Sequence, residues 1–307
     1  MSTQIDRAYV NQFRANFDML VQQMESRLIT AVTTDTLNGE FGYRDQLDGV
    51  MPERRTSRHA PTRFTEVPHA RRRFHAEDWE MGEMIDKQDT ARMLTSPQSA
   101  YASLFAMGFS RQRDKTILDA MFADASTGKA GATTVAFPAA QQIAVDYVET
   151  GSATNSSITL GKLRRALEIL GDVGADDDEL YIACRRREIS ALLRTVEYGS
   201  YDYNTARPLL DGGKGSKRFM GLNWIVLPNR IKGSTLTMFS TDGSGHFRIP
   251  VWSKKGVLYA PLRETEIDAM PNPERGGNTS LIGHASFGAA RLEEERVVEI
   301  KCHATAF

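Results

Sequence analysis

Two glycine-lysine stretches of this chain could in principle bind phosphate. Gly128-Lys129 has Ala123 where a phosphate loop needs its first glycine, and Ala130 where it needs a hydroxyl for magnesium. The second stretch, Gly212 to Ser216, precedes a predicted strand, whereas a phosphate loop joins a strand to a helix. Neither stretch predicts a nucleotide site, and no cofactor is expected.

Acidic residues and histidines provide the candidate metal ligands. The four acids from Asp176 to Glu179 stand just before a predicted strand and could bind a hard cation, but adjacent carboxylates mostly point apart, which favours a solvated turn. His59, His69 and His75 lie in an arginine-rich segment, whose positive charge weakens metal binding. We therefore predict no metal site.

Nucleophilic chemistry has little support either. No Gly-x-Ser-x-Gly elbow occurs, and neither Cys184 nor Cys302 has a plausible base in its own segment. No catalytic residue is predicted, and the chain is expected not to be an enzyme. An enzyme whose catalytic residues are scattered along the chain is the open alternative.

Length, charge and cysteine content limit the remaining classes. At 307 residues and 41% hydrophobic, the chain can form one large domain or two modest ones. Its net charge of -1 predicts no overall attraction to nucleic acid or anionic membrane. Two cysteines are too few for a disulfide framework and indicate a reducing, cytoplasmic origin. Without a signal peptide or a long apolar run, the chain is expected neither to be exported by that route nor to span a membrane.

Charged residues are sorted by sign along one stretch. Glu53 to His75 carries seven arginines against two acids, whereas Glu77 to Asp89 carries six acids against Lys87 alone. Such sorting suits contacts between identical molecules, because each copy supplies both signs. A solvated loop and a phosphate-binding patch are the alternatives. The assembly residues predicted here are Arg54, Arg55, Arg58, Arg63, Arg71, Arg72, Arg73, Glu77, Asp78 and Glu80.

The segment that carries these charges cannot form a core of its own. From Val32 to Ile85 it holds short β-prone pieces, several prolines and few large aliphatic residues, so it must be an extended arm or hairpin, be disordered, or be held by another surface. An amphipathic helix from Arg7 to Leu28 precedes it, with Phe13 and Phe17 on its apolar side. That side packs either on its own domain or on a neighbouring subunit.

The rest of the chain alternates helices and strands. Ser96-Pro97 opens a predicted helix of more than twenty residues, and a linker from Ala123 to Ala136 follows it. A glycine-rich contact loop is predicted around Tyr201 and Tyr203. The other predicted helices are Leu160 to Leu170 and Glu188 to Thr195, and the predicted strands are Leu180 to Cys184, Phe219 to Leu227, Val257 to Leu262 and Val297 to Ile300.

This order of parts resembles the major capsid proteins of tailed bacteriophages, of the Hong Kong 97 type. Asp86 to Asp89, Met93 to Tyr101 and Arg111 to Asp114 look like the start of that family's spine helix. Lys217 to Ile225 is similar to the strand after its axial-domain loop. Gly288-Ala289 through Val297 to Ile300 is similar to its closing strand.

The resemblance implies an α+β Hong Kong 97-type fold with an N-terminal helical arm, an extended β-hairpin loop, a long spine helix and an α/β axial domain. The implied division is an arm over 1–34, an extended loop over 35–85, a peripheral domain over 86–134 and 279–307, and an axial domain over 135–278. Reversal of Arg71, Arg72 and Arg73 to Glu is then expected to leave a folded subunit that cannot form particles.

The family also implies partners and a location. Copies would form pentamers and hexamers that close into an icosahedral shell in the virion, assembled in the host cytoplasm. A scaffold and a portal are expected partners, together with a possible cement protein and packaged double-stranded DNA contacted non-specifically. An encapsulin-like cargo shell and a nucleic-acid-binding protein that uses Arg54 to Arg73 are the alternative functions.

Overall fold

The computed structural model describes residues 22–58, 61–62, 64–86, 98–194, 217–273 and 276–303, which form three helices and fourteen strands. The helices are α1 (Gln98–Phe122), α2 (Leu160–Asp172) and α3 (Arg186–Arg194). The strands are β1 (Thr33–Thr34), β2 (Phe41–Leu47), β3 (His69–His75), β4 (Glu77–Ile85), β5 (Ala125–Thr127), β6 (Thr133–Val135), β7 (Gln142–Ile143), β8 (Leu180–Cys184), β9 (Lys217–Phe219), β10 (Leu222–Val226), β11 (Phe247–Ser253), β12 (Val257–Asn272), β13 (Asn278–Arg291) and β14 (Val297–Cys302).

A six-stranded sheet of order β7-β14-β11-β8-β10-β9 forms the largest core among the described residues. Trp224, Ile182, Val251 and Val298 face one another across four neighbouring strands, and all are buried. The β-branched and aromatic side chains of these strands suit a sheet that is covered on its faces. Burial of this row contributes much of the apolar free energy that stabilises the sheet.

Helices α2 and α3 have N-terminal caps that their sequences encode. The Thr159 hydroxyl accepts a hydrogen bond from the backbone N–H of Lys162 at 3.3 Å, which caps α2. Before α3, the buried Glu188 carboxylate accepts the Arg185 backbone N–H at 2.9 Å and also binds the Arg185 guanidinium. α2 packs on β14, so the predicted combination of a sheet and helices is confirmed.

The strand predicted from Phe219 to Leu227 is two strands. Met220 and Gly221 have φ values of 51° and 78°, the pair of positive values that a tight two-residue hairpin turn requires, and they join β9 to β10. β12 extends to Asn272, well beyond the predicted Leu262. β11 and β13 were not predicted, because their apolar residues are interrupted by polar residues and glycines.

A buried carboxylate on α1 anchors the chain that enters the fold. The Asp114 side chain is fully buried and accepts hydrogen bonds from the Ser26 hydroxyl and from the backbone N–H groups of Arg27 and Leu28. Residues 22–28 are therefore a bound, irregular segment. The prediction that they form the end of a helix is wrong. The remainder of the predicted arm helix, with Phe13 and Phe17, lies outside the described residues.

The chain divides into two units. One comprises Met1–Glu25, Asp78–Arg111 and Arg263–Ser286, and the other comprises Ser26–Glu77, Gln112–Leu262 and Phe287–Phe307. In the first unit Gly108 makes room for a neighbour, since a Cβ there would lie 2.8 Å from the Met81 methyl carbon. The predicted division into arm, loop, peripheral and axial domains stays a prediction.

No helix among the described residues is long and apolar enough to cross a membrane.

Candidate assembly interface

The arginine-rich part of the charged segment belongs to the loop and the second strand of the antiparallel hairpin β2–β3. Phe41 pairs with His75, Tyr43 with Arg73 and Asp45 with Arg71. β3 also pairs with β5, which ties the base of the hairpin to the same unit. Because side chains alternate between the faces of a strand, the register assigns neighbouring residues of β3 to opposite faces.

The inner face of the hairpin belongs to its own subunit. Phe74 packs with Leu37, Leu258 and Leu292 in a buried apolar cluster. The Arg72 side chain, 8% exposed, donates from Nε to the Leu292 carbonyl oxygen at 2.8 Å and from Nη2 to Glu294 at 2.5 Å. Arg72 is therefore held within the chain, and its charge is balanced there.

On the outer face, arginines stack on aromatic rings. The Arg71 guanidinium lies 5.4 Å from the centre of the Tyr43 ring and binds the Asp45 carboxylate at 2.5 and 3.0 Å. Its hydrogen bonds lower the pKa of Asp45, while burial acts in the opposite direction. The Arg73 guanidinium lies 4.7 Å from the centre of the Phe41 ring. These contacts hold two arginines in fixed positions on an exposed ribbon.

The loop between β2 and β3 exposes both apolar and basic side chains. Every described residue from Asp48 to Pro68 is exposed, including Met51 at 85% and Phe64 at 95%. Arg54, Arg55 and Arg58 belong to this loop, and Arg55 donates to the carbonyl oxygens of Ser57 and Arg58. Aromatic, Met and Arg side chains are enriched at protein interfaces, so this composition is typical of a contact surface.

The predicted acidic residues lie on β4, which is an edge strand of the sheet with order β1-β12-β13-β4. Glu77, Asp78 and Glu80 are all exposed. Asp78 accepts a hydrogen bond from the Ser286 hydroxyl at 2.5 Å. An exposed edge that carries carboxylates blocks unwanted strand pairing while presenting negative charge.

Five of the predicted assembly residues cannot be placed. Phe13, Phe17, Arg63, Tyr201 and Tyr203 lie outside the described residues, as does His59.

The acidic cluster considered for a metal has another use. Asp178 binds Lys255 at 2.6 Å, Arg296 at 2.6 Å and the Ser253 hydroxyl at 3.1 Å. The hydrogen bond from Lys255 is the largest cause of the lowered pKa of this carboxyl group. Within the described part of the chain, no group of three or more His, Cys, Asp or Glu residues has metal-site geometry. Asp178 thus joins three segments by ion pairs.

Sequence reasoning missed several residues of the candidate interface. Phe41 and Tyr43 could have been found by pairing β2 with β3, since that register places each of them on the arginine face. Met51 and Phe64 gave a weaker signal, as isolated apolar residues in a polar loop. Glu294 could not have been found, because it lies 222 residues from its partner Arg72.

Comparison with known proteins identifies the family. The model of the family described as phage capsid protein matches residues 5–304. The chain therefore belongs to the phage capsid protein family and is a structural protein of the virion capsid. It matches no curated protein sequence.

Solved structures show the same fold at low sequence identity. The capsid of cyanophage Pam1 shares 13% identity over 100% of this chain and 99% of that chain, with a TM-score of 0.71. The capsid of Ralstonia phage GP4 shares 10% over 97% and 96%, with a TM-score of 0.70. The capsid of a native GTA particle shares 10% over 99% and 100%, with a TM-score of 0.65. The fold is thus of the Hong Kong 97 type. Together with the family match over residues 5–304, it identifies this chain as a major capsid protein.

Proposed function

We propose that copies of this chain assemble as pentamers and hexamers into an icosahedral shell that encloses a phage genome. Within this shell, each copy lays the loop of residues 48–68 on a neighbour, where its arginines meet the acidic residues of β4. The observation that carries the proposal is the exposure of every described residue of this loop in a single subunit, with Met51, Phe64 and three arginines in contact with solvent. Exposed apolar side chains of this size mark surfaces that become buried on association.

The charge pattern supports a homotypic contact. A single exposed ion pair contributes only about 0 to 1 kcal/mol, so one loop binds weakly. A closed shell repeats that contact once for every copy, and the weakness of each contact lets a misplaced subunit leave. Arginine forks that meet carboxylates in a partly buried seam bind more strongly than exposed pairs.

The proposed partners follow from this role. A scaffold would hold subunits at the correct curvature during assembly in the host cytoplasm, a portal would occupy one vertex, and a cement protein could bind the outside. Packaged double-stranded DNA would be contacted non-specifically, because a net charge of -1 leaves only local basic patches to meet phosphate.

A charge-swap experiment tests the docking. The variant Arg54→Glu/Arg58→Glu is expected to yield folded subunits, with a thermal midpoint within about 2 °C of the wild type, since both side chains are exposed. It is expected to form few or no particles in negative-stain images and in size-exclusion chromatography. Arg72 is excluded from the swap because it is buried and paired within its own chain.

Reciprocal rescue is the control. Glu77→Lys/Glu80→Lys alone is expected to block assembly as well, and the four-residue swap is expected to restore particles, because it exchanges the two signs. Normal particles from the arginine variant would refute the electrostatic contact. Failure of the four-residue swap, with both parents inactive, would show that the two segments do not meet.

DNA binding by the loop is the competing function. A phosphate-binding patch loses affinity steeply with salt, with a slope set by the number of contacts. We would measure duplex DNA binding by the wild type and by Arg54→Glu/Arg58→Glu at several salt concentrations. This measurement distinguishes DNA binding by the loop from docking on a neighbouring subunit. We expect weak binding that does not differ between the two proteins.

A further inference from the structure

Lys162 is an ammonium group buried without an acid. Its side chain is fully buried, and its Nζ lies 2.8 Å from the carbonyl oxygen of Val145, 3.0 Å from that of Ser156, 3.1 Å from that of Ser157 and 3.0 Å from that of Lys301. None of its hydrogen-bond partners in the described part of the chain is a carboxylate. Such an arrangement is unusual, because buried cations are normally paired with acids.

The position itself disfavours a positive charge. Thr159 caps α2, so Lys162 lies in the first turn of the helix, where the helix dipole is positive. Burial lowers the pKa of the Lys162 ammonium, and the charge of Asp146 is among the influences that oppose this. The four carbonyl groups, whose negative ends converge on the ammonium, are the groups in direct contact that offset these two costs.

The carbonyl groups are held in place by the fold. Val145 O also accepts the backbone N–H of Ser156 at 3.0 Å, and Ser156 O accepts the backbone N–H of His303 at 3.1 Å. Lys301 belongs to β14, the second strand of the six-stranded sheet, where it pairs with Arg248 of β11. Since an ammonium has three N–H groups, four acceptors exceed the donors available. The place where the four carbonyl oxygens converge is therefore electronegative whether or not a lysine ammonium occupies it.

We infer that the carbonyl oxygens of Val145, Ser156, Ser157 and Lys301 form a preorganised site for a large monovalent cation, which the native chain fills with its own Lys162 ammonium. The cage distances of 2.8 to 3.1 Å exceed the roughly 2.3–2.6 Å of calcium and the roughly 2.0–2.1 Å of magnesium. Rings of backbone carbonyls are used elsewhere in proteins to replace the hydration shell of potassium. A primary ammonium is the ligand class that this cage fits, and potassium is the second.

The cation has a structural task in this protein. It joins two neighbouring segments, residues 145–157 and the first turn of α2, to the end of β14, where Lys301 lies 139 residues from Lys162. Without it, each of the four carbonyl groups loses one donor, and only Val145 O and Ser156 O have a further backbone donor described above. A carbonyl group that is left without a donor away from water carries a desolvation cost. The site thus adds a contact based on charge to the packing of the helix on the sheet.

Removal of the side chain tests the need for a cation. Lys162→Met retains the length and volume of the stem but lacks the charge, and we expect it to lower the thermal midpoint of the full-length subunit by roughly 5–15 °C. Lys255→Ala, which removes an exposed ammonium, is the matched control and should shift it by less than about 3 °C. A Lys162→Met variant as stable as the wild type would overturn the inference.

Chemical rescue tests the site itself. Lys162→Ala removes three carbons and the nitrogen of the side chain. The cavity that it leaves therefore has the shape of a propylammonium ion. We expect propylammonium chloride to raise the midpoint of Lys162→Ala in a saturable manner, and tetramethylammonium chloride at equal ionic strength to have no such effect. Potassium should raise it less than propylammonium but more than sodium. The wild type and Lys162→Met should respond to none of these ions, because their cavity is filled.

A variant that does not fold still gives an answer. If Lys162→Ala is recovered only from denaturant, the soluble yield after refolding in propylammonium is compared with the yield in tetramethylammonium. A several-fold higher yield with the primary ammonium supports the site, and equal yields refute it.

Discussion

The six-stranded sheet and the β2–β3 hairpin use the same residue types for opposite purposes. In the sheet, Trp252 is fully buried and its indole N–H donates to the Ala31 carbonyl oxygen at 2.9 Å. In the hairpin, Phe41 and Tyr43 are 40% and 44% exposed and lie beneath arginines. The large side chain of the sheet is buried and hydrogen-bonded within one subunit, whereas those of the hairpin remain partly exposed to solvent. Exposure within one copy thus separates residues that stabilise the subunit from residues that are free to join subunits.

The three consecutive arginines of β3 show this difference over a few ångströms. Arg72 faces inward and binds Glu294, whereas Arg71 faces outward with its side chain 39% exposed. The sequence-based expectation that all three could be reversed without loss of folding treated them alike. The structure leads us to expect different effects at the two faces.

The largest expected effect is on the inner face. Arg72→Glu places a second carboxylate beside Glu294 in a largely buried site and removes the donor to Leu292, and breaking such a pair costs about 3–5 kcal/mol. Urea unfolding of the full-length subunit measures this loss. Arg71→Glu is the control on the outer face, with an expected shift in thermal midpoint of less than about 3 °C. Equal losses at the two positions would remove the distinction between the faces.

A glycine substitution gives the next largest effect. A Cβ at Gly288 would lie 1.8 Å from the His75 carbonyl oxygen, so Gly288→Ala forces the backbones of β13 and β3 apart. Overpacking of this kind costs about 1–3 kcal/mol. Gly49 has nothing within 4 Å of an added Cβ and its φ is not positive, so Gly49→Ala should change stability by less than about 0.5 kcal/mol. A harmless Gly288→Ala would show that the hairpin base is loosely packed.

The smallest expected effect concerns the exposed pair on the outer face. Arg71 lowers the pKa of Asp45, so the pair stabilises the hairpin fully only at pH values above the ordinary pKa of a carboxyl group. This contribution to stability disappears as the pH falls through the lowered pKa of Asp45. Asp45→Asn should therefore lower the thermal midpoint by no more than about 2 °C at pH 7, with the difference shrinking toward pH 3. Glu66→Gln, in the same hairpin, controls for the loss of charge. A difference that grows on acidification would contradict this assignment.

Local sequence signals located many of the elements. The strand Leu180–Cys184 was predicted with its observed bounds, and the helix beginning at Leu160 was predicted to stop near Gly171. Both are apolar patterns that the sequence shows without help from distant residues. β11 escaped prediction because it pairs with β8 and β14, which lie far away in the chain. The apolar residues of β13 are interrupted by polar residues and glycines, so its sequence shows no regular strand pattern.

The candidate interface was located by its charge pattern and resolved only by the register of β2 and β3. The order of arginines followed by acids is a property of the amino-acid sequence, so it can be recognised without a structure. Which arginine is buried depends on where β3 lies relative to Leu292 and Glu294, and no local rule reports that. Lys162 is a sharper case, because nothing in its neighbourhood of the sequence predicts a buried ammonium.

The sequence by itself determined the class of the molecule: an α+β chain with a long helix, a charged segment poor in aliphatic residues and no pattern typical of a catalytic site. These features follow from periodicity and composition, which act over a few residues. Only the tertiary structure decided which side of the hairpin is buried, how Asp178 and Asp114 are used, and what surrounds Lys162. Those outcomes depend on contacts between residues up to hundreds of positions apart, and such contacts exist only once the sheet has formed.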